Sequence, residues 1–355
     1  MPQSTHSMAD PMADPIDPAR GPEPGDHTKP AADLRRWLVF NGDADGICAA
    51  HQLRLAGYAP HNVVTGVKRD IGLLARVHAH VGDEVNVADI SLDANRVALD
   101  RLLAAGVRVT WFDHHFAGTI PASPALKAHI DTASDTCSSL IVDALLGGRF
   151  RMWAVAAAFG DNLHALAGTL AATAGLDTAA LRALRELGEL MNYNAYGETV
   201  ADLHVAPADL FARIAAFEDP LRFAAADAFV PCLRAGMAAD MLLAQGIAPL
   251  VADAATALTV LPALSWARRV NGVLANELAR AHPQRAHAIL VQTERGFLVS
   301  VRAPLARPSG ADTLCRGFAG GGGRAGAAGI NDLPQADLGR FCDAFQQHFG
   351  GSTGN

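Results

Sequence analysis

The sequence predicts an α/β fold, with a first domain built on a parallel sheet and a smaller α/β domain behind it. Short, continuously apolar segments recur in the first third of the chain, and glycine or polar residues follow them. Buried parallel strands have this pattern. A further apolar segment, followed by a glycine-rich stretch, indicates the second domain. A length of 355 residues and a hydrophobic content of 50% allow two domains with sizeable cores.

Four strands and one helix are predicted first. Trp37–Phe40 is a short apolar segment that a glycine turn follows, and Ile47–Leu55 is the helix after it. Val63–Val67, Val85–Ala88 and Val107–Phe112 are the next three strands. In an open parallel sheet, the residues that follow such strands meet at one edge, where ligands bind.

Three of these strands lead into polar clusters. The first is followed by Asn41, Asp43 and Asp45, the third by Asp89, and the fourth by a triplet of one acid and two histidines. Carboxylates gathered at one edge repel one another, and divalent cations resolve that conflict. A mixture of carboxylate and imidazole ligands suits manganese, iron or zinc better than calcium, which prefers oxygen alone.

A calcium-binding EF-hand loop is the first alternative for the segment from Asn41 onwards. Asn41, Asp43 and Asp45 fit its first, third and fifth positions, but Gln52 stands where a bidentate glutamate is needed. A strand also precedes the segment, where an EF-hand has a helix. A plain Asp-Gly turn is the second alternative. The shared location of all three clusters at strand ends favours a metal site instead.

At these residues the chain resembles the DHH phosphoesterase family, which is named for the triplet that here is Asp113-His114-His115. Asp43-Ala44-Asp45-Gly46 matches the D-x-D-G turn of that family, and Asp89 matches its single acid after a strand. Asp161 matches a fourth motif, an aspartate that ends a helix of small residues. The order and spacing of the motifs also agree.

The glycine-rich stretch at residues 320–329 resembles the GGGH-type loop of the DHH-associated domain. It follows a predicted strand at Leu298–Arg302 and a helix at Ala311–Phe318. Glycines let a backbone approach an anion, and an arginine such as Arg302 or Arg324 can hold a phosphate with two parallel bonds. A flexible linker is the alternative. The apolar segments on both sides of the stretch argue against it.

The resemblance implies a two-metal site. One ion would be held by Asp43 and Asp89 together with Asn41, and the other by Asp45, Asp89, His114 and Asp161. The ions would be Mn2+ most often, with Mg2+ or another divalent metal as alternatives. They would activate a water for attack on phosphorus. His115 would contact the scissile phosphate, and Asp113 would orient a histidine. Asp89, His114, His115 and Asp113 are thus the predicted catalytic residues.

The resemblance also implies that the second domain binds the rest of the substrate through Arg302, Gly321, Gly322, Gly323 and Arg324. Two departures from the family bear on these expectations. Asn41 stands where many members have aspartate, and its neutral amide is a weaker ligand for the first ion. Arg324 stands where the family usually has histidine, which keeps phosphate binding but removes a group that titrates near neutral pH.

The net charge of the chain restricts the class of nucleic acid that the protein can bind. A formal charge of −7 argues against a grip on long duplex nucleic acid, which needs a basic surface. We therefore expect a small nucleotide or a short single-stranded oligonucleotide as substrate, cleaved in an exonuclease-like way or as an isolated phosphoester. A homodimer is the oligomeric state that we consider for the protein. The alternative function is a nucleotide-binding protein that retains the DHH fold without catalysis.

Composition sets the expected organisation. Residues 1–34 are predicted to be a disordered tail without a signal peptide, and residues 35–185 the DHH domain. Residues 186–250 are predicted to form a helical connector, and residues 251–347 the DHH-associated domain. An apolar helix near Met152–Leu170 contains Asp161, which is costly in lipid, so no membrane span is predicted. Five unpaired cysteines indicate a reducing, cytoplasmic location.

Two segments of the middle region complete the predictions. The segment Leu181–Glu189, rich in alanine and leucine, is predicted to be a helix. Tyr193 and Tyr196 lie in a predicted polar turn that begins at Asn192, either to stack on a base or to pack between the domains.

Overall fold

The computed structural model describes residues 34–350, so the predicted disordered tail lies outside the described residues apart from Leu34. A five-stranded, all-parallel sheet forms the first domain, in the order β2-β1-β3-β4-β5. Its strands are β1 (Arg36–Asn41), β2 (Asn62–Gly66), β3 (Glu84–Ala88), β4 (Arg108–Asp113) and β5 (Leu126–Ile130).

The register of this sheet follows its apolar residues. Val39 on β1 lies opposite Val64 on β2 and Val87 on β3, and Val39 is fully buried. The four predicted strands are all present. The fifth strand, β5, was not predicted, because it lacks a continuous apolar stretch and its residues are only partly buried.

Nine helices follow or surround this sheet up to Gln245 in the described chain. They are α1 (Ala44–Leu55), α2 (Arg96–Ala104), α3 (Ser138–Leu145), α4 (Arg151–Gly160), α5 (His164–Thr173), α6 (Thr178–Ala195), α7 (Pro207–Ile214), α8 (Pro220–Ala226) and α9 (Phe229–Gln245). Within the described residues, none of these or the later helices combines the length and hydropathy needed to cross a bilayer.

Two of the predicted elements differ from the structure. The single helix predicted near Met152–Leu170 is two helices, since the chain breaks at Asp161 and Asn162 has a positive φ of 62°. The predicted polar turn from Asn192 is instead the last turn of α6. Helix propensity and the burial of Tyr193 extend that helix to Ala195. Helix α6 thus runs through the predicted boundary at residues 185 and 186.

The second sheet has six strands in the order β10-β11-β9-β8-β7-β6, with both parallel and antiparallel pairs. Its strands are β6 (Val251–Ala252), β7 (Thr256–Leu261), β8 (Ala286–Gln292), β9 (Gly296–Arg302), β10 (Gly321–Arg324) and β11 (Ala327–Pro334). Its helices are α10 (Ser265–Ala281), α11 (Ala311–Arg316) and α12 (Leu338–Gly350). A parallel-sheet domain followed by a smaller α/β domain is the fold class that the sequence predicts.

A continuous apolar core joins the two sheets through the connecting helices. One cluster of buried side chains contains Leu38 and Phe40 of the first sheet, Leu190 of α6, and Ile289 and Val291 of the second sheet. Burial of one large aliphatic or aromatic side chain contributes about 1.5–3 kcal/mol, so this shared core holds the domains in a fixed relation.

A close helix crossing and a polar network reinforce this joint. Helix α6 crosses α4 so tightly that a Cβ atom on Gly188 would lie 1.9 Å from the carbonyl oxygen of Ala156. Arg269 of α10 donates to Asp240 of α9 at 2.8 Å, and the hydroxyl of Tyr193 donates to the same carboxylate at 2.5 Å. Burial of all three polar groups is tolerated because each one is paired.

Candidate active site

The D-x-D-G turn connects the end of β1 to the start of α1. Asp43 caps the helix, and its Oδ1 accepts a hydrogen bond from the Gly46 backbone at 3.1 Å. Asn41 Oδ1 accepts from the Asp43 backbone at 3.2 Å. A Cβ atom on Gly46 would lie 2.2 Å from the carbonyl oxygen of Asn41, so only glycine fits this turn. The turn therefore fixes Asp43 and Asp45 at the carboxyl edge of the sheet.

Asp45 is held by a second helix. Its two carboxylate oxygens accept hydrogen bonds from the backbone N–H groups of Ser138 and Ser139, both at 2.7 Å. These N–H groups lie in the first turn of α3, where no intrahelical acceptor is available. Asp45 is 1% exposed, and the bonds from α3 give both of its buried oxygens a hydrogen-bond partner.

Asp89 follows β3 in the left-handed backbone region, with a φ of 58°. A non-glycine residue costs about 1 kcal/mol or more in this conformation, and such strain clusters at functional sites. The Asp89 backbone N–H donates to the carbonyl oxygen of Phe112 at 3.0 Å, which holds the conformation. Ser138 Oγ lies 3.4 Å from Asp89 Oδ1. Burial and the nearby Asp43 and Asp45 raise the pKa of Asp89 well above its usual value.

The triplet after β4 brings two imidazoles to the same place. His114 Nε2 lies 3.5 Å from Asp89 Oδ1 and 3.9 Å from both Asp45 Oδ2 and Asp161 Oδ2. His115 Nδ1 lies 2.7 Å from Asp113 Oδ1, while its side chain is 47% exposed. Asp113 is fully buried, so it holds His115 in one orientation at the mouth of the site.

Asp161 reaches this cluster from the break between α4 and α5, where it caps α4. Its Oδ1 lies 3.9 Å from the ammonium nitrogen of Lys68, and its other oxygen faces His114. Burial raises the pKa of Asp161 against the opposing effect of Lys68. The end of α4 is thus what turns this acid towards the sheet edge, in agreement with the motif of an aspartate that ends a helix of small residues.

The donor set of this cluster fits a divalent metal ion. Ligand atoms of Asp89, His114 and His115 all lie within 4.8 Å of one another. Asp45 and Asp161 add oxygens near the same imidazole. Two imidazoles with several carboxylates form a set that suits manganese, iron or zinc. A cation here would also relieve the repulsion that raises the pKa of Asp89.

Lys68 belongs to the site, although it is not among the site residues predicted from the sequence. Its ammonium group forms an ion pair with Asp43 Oδ2 and a 3.1 Å hydrogen bond to Asn192 Oδ1. Burial raises the pKa of Asp43, but the ammonium group of Lys68 and hydrogen bonds from Asp89 and the Gly46 backbone together lower it to about 2. Lys68 lies beyond the carboxyl end of β2, on the ligand-binding edge. This position is the signal in the sequence that could have identified Lys68 as a site residue.

A cleft of about 380 Å³ between the two domains adjoins the metal-ligand cluster. Lys68 lines this cleft and also contacts Asp43, so the two sites are continuous. Basic and polar side chains and one aromatic ring line the cleft together with apolar and glycine residues. Its polar and aromatic side chains are those of Lys68, Arg69, Tyr196, Arg268, Asn271, Ser300, Arg302 and Asn331.

The residues predicted to bind substrate lie at different places around this cleft. Arg302, Gly322 and Gly323 line it. Gly321 packs on α11 instead, where a Cβ atom would lie 1.9 Å from the carbonyl oxygen of Cys315. Arg324 is exposed at the end of β10. The strand register puts it two strands from Arg302, about 10 Å away. The glycines form an edge strand of a hairpin rather than the predicted loop.

The comparisons bear on the fold. No model of a known protein family matches the sequence, and no curated protein matches it significantly. Solved structures do match. A DHH-domain protein, described as a member of a family of ribosomal proteins, has 13% identity and a TM-score of 0.61, with 88% of this chain and 86% of that chain covered. RecJ from Thermus thermophilus, solved with Mn2+, has 18% identity and a TM-score of 0.52. That match covers 88% of this chain and 51% of RecJ.

The fold and the clustered acids and histidines define a two-domain α/β protein with a candidate metal centre at the edge of a parallel sheet. Its fold is that of the DHH proteins of the RecJ-like type, which confirms the predicted resemblance at the level of the fold.

Proposed function

We propose that the protein is a metal-dependent phosphoesterase that acts on a small nucleotide or a short single-stranded oligonucleotide. One observation carries the proposal. The acids and histidines at the sheet edge are continuous with a basic cleft, because Lys68 belongs to both. Phosphate in the cleft would thereby lie next to the metal ligands. Carboxylates alone would repel such an anion, so the arrangement favours a cation between them.

Asp89, His114 and Asp161 would hold the divalent ion, with Asp45 beside them. A divalent ion at such a site lowers the pKa of bound water and stabilises charge on the phosphoryl oxygens. Manganese is the metal proposed, with magnesium as the alternative. The resemblance to the DHH family predicts two ions.

The protein's own residues would orient the phosphoester. Because Asp113 accepts from Nδ1 of His115, that nitrogen carries a proton, and the exposed ring is free to contact a phosphoryl oxygen. The Arg302 side chain donates to Asn276 Oδ1 at 2.7 Å, which holds the guanidinium group on the cleft wall. Arginine binds phosphate with paired hydrogen bonds, so Arg302 would hold the end of the substrate away from the metal.

The size of the cleft supports a small substrate. A volume of about 380 Å³ lies within the range of pockets for small ligands, and the Tyr196 ring on its wall can stack on a base. The overall charge of −7 argues against a long duplex. The proposal therefore concerns one or a few nucleotides at a time.

Product formation in manganese buffer tests the function. The panel contains a dinucleotide, a nucleoside bisphosphate, a cyclic dinucleotide and a short single-stranded DNA, with Asp89→Asn in parallel. We expect cleavage of at least one compound by the native protein and none by the variant. Equal cleavage by both proteins would contradict the site assignment.

A nucleotide-binding protein without catalysis is the second candidate. One observation favours it: Asn41 is neutral, and its side-chain amide is already used in hydrogen bonds within the protein. The amide nitrogen donates to the carbonyl oxygen of Lys68 at 3.0 Å, and the amide oxygen accepts from the Asp43 backbone. This candidate predicts that the panel compounds bind with measurable affinity but remain uncleaved when metal is bound. The same panel therefore separates the two functions.

A further inference from the structure

The ammonium group of Lys68 lies among side chains of the kinds that bind metals. It pairs with Asp43 Oδ2, donates to Asn192 Oδ1 at 3.1 Å, and lies 3.9 Å from Asp161 Oδ1. The ring of Tyr196 adds a favourable face 5.6 Å away. Three oxygens and an aromatic face thus surround one positive charge at the edge of the metal-ligand cluster.

The main chain holds Lys68 in this place from two sides. Its backbone N–H donates to the carbonyl oxygen of Ala195 at the end of α6, at 3.0 Å. Its own carbonyl oxygen accepts from Asn41 Nδ2 at 3.0 Å. An aspartate at position 41 has no N–H group to donate and would repel that carbonyl oxygen. The neutral residue at position 41 and the lysine at position 68 are therefore structurally linked.

The resemblance places its first ion on Asp43, Asp89 and Asn41, and these residues fit an ion poorly. Lys68 already pairs with Asp43, while the Asn41 amide oxygen accepts from the Asp43 backbone. The other ligand set, around His114, includes Asp161, whose Oδ1 lies 3.9 Å from the Lys68 ammonium nitrogen, but Asp45 and Asp89 have no lysine or arginine ion pair among the described residues. Of the two sets, the one around His114 is therefore the more open to a divalent ion.

We infer that Lys68 replaces one of the two ions, so that the protein binds a single divalent ion per chain at the His114 side of the cluster. A lysine ammonium is a compact point charge that can neutralise a carboxylate without coordination geometry. In this arrangement Lys68 neutralises Asp43 and presents positive charge to the cleft. The inference rests on the proposed function, because it concerns the metal content of the same site.

Manganese counting tests the inference without an activity assay. The protein is dialysed to equilibrium against MnCl2, and bound manganese is measured by elemental analysis together with the electron paramagnetic resonance spectrum. We expect one ion per native chain and a spectrum without spin coupling between ions. Two coupled ions per native chain would overturn the inference alone, whereas no bound ion would overturn the proposed function.

Matched variants identify the residue responsible. In Asn41→Asp/Lys68→Met the count should rise from one to two, because Asp43 is released and a second carboxylate is supplied. Arg69→Met is the control, since Arg69 is exposed and both Asn41 and Lys68 remain; it should still bind one ion. Lys68→Met alone retains the Asn41 bond to the main chain and serves if the double variant does not fold. A folded Lys68→Met protein that has only one site even at millimolar manganese would overturn the role of Lys68.

Discussion

His114 Nε2 lies 3.5 Å from Asp89 Oδ1, at the meeting point of two adjacent strands. The left-handed backbone of Asp89 turns this carboxylate towards the imidazole, and Asp43 and Asp45 lie close enough to raise its pKa. The position of Asp89 indicates a functional role and not a stabilising one, because the burial of its carboxylate and the strain of its backbone both cost free energy in the protein alone.

Asp89→Asn should remove metal binding and activity while the fold stays intact. Asparagine tolerates the left-handed region, and its neutral amide relieves repulsion from Asp43 and Asp45. We expect manganese affinity to fall by more than about 10-fold, the loss that even outer-sphere changes cause. Unfolding by urea without metal should require at least as much denaturant as for the native protein. Asp100→Asn, at an exposed ion pair with Arg96, is the control and should bind manganese normally.

Arg302→Ala should weaken substrate binding more than turnover. Loss of a charge-assisted hydrogen bond costs about 1.5–3 kcal/mol, so KM should rise by about 10-fold or more, with little change in kcat. Arg295→Ala is a matched control on the same strand region, because Arg295 is 83% exposed and pairs with Asp332. Steady-state kinetics on the cleaved compound measure both variants. Equal KM values for the two variants would exclude Arg302 from the binding site.

Asp202→Asn should destabilise the joint between the connector and α10. Asp202 accepts from Arg268 at 2.8 Å, from Ser265 Oγ, and from the backbone of Glu198 at 2.8 Å. We expect the free energy of unfolding to fall by about 2 kcal/mol, the value of a charged hydrogen bond. Glu198→Gln removes a more exposed carboxylate near Arg268 and should cost less than about 1 kcal/mol.

The Asp202 effect should depend on pH in a defined direction. Burial alone would raise the pKa of Asp202, but hydrogen bonds from Arg268 and Ser265 lower it below its usual value. The stabilisation is therefore complete above the unfolded pKa of about 3.9 and is lost as the pH falls through the folded pKa. Urea unfolding at pH 7 and pH 3 should show a smaller difference between native protein and Asp202→Asn at the lower pH. A difference that grows in acid would contradict this account.

Two buried histidines should make the protein less stable in mild acid. Burial lowers the pKa of both His51 and His287 to about 4. Below the unfolded pKa of about 6.5, the unfolded chain takes up protons that the folded chain does not, so stability falls between about pH 6.5 and 4. His287→Leu should reduce this loss, since His287 is 1% exposed and neither ring nitrogen has a hydrogen-bond partner among the described residues. A loss of equal size in native protein and variant would contradict the role of His287.

Local chemistry made several features predictable. The apolar segments and the turn at Gly46 identified four parallel strands, and with them the edge at which Asp43, Asp89 and His114 meet. Parallel strands fix which residues share an edge, because every carboxyl end points the same way. The strand β5 escaped prediction, since its half-buried residues carry no continuous apolar signal.

The sequence by itself determined the fold class, the DHH resemblance and the polar residues that gather at the sheet edge. Tertiary structure alone decided that Lys68 enters this cluster, that Asn41 holds it there, and that Arg324 lies away from Arg302. The physical reason is the distance along the chain between the residues that determine each feature. Strand ends and turns follow from neighbouring residues, whereas the Lys68 contacts depend on how α6 packs against the first sheet.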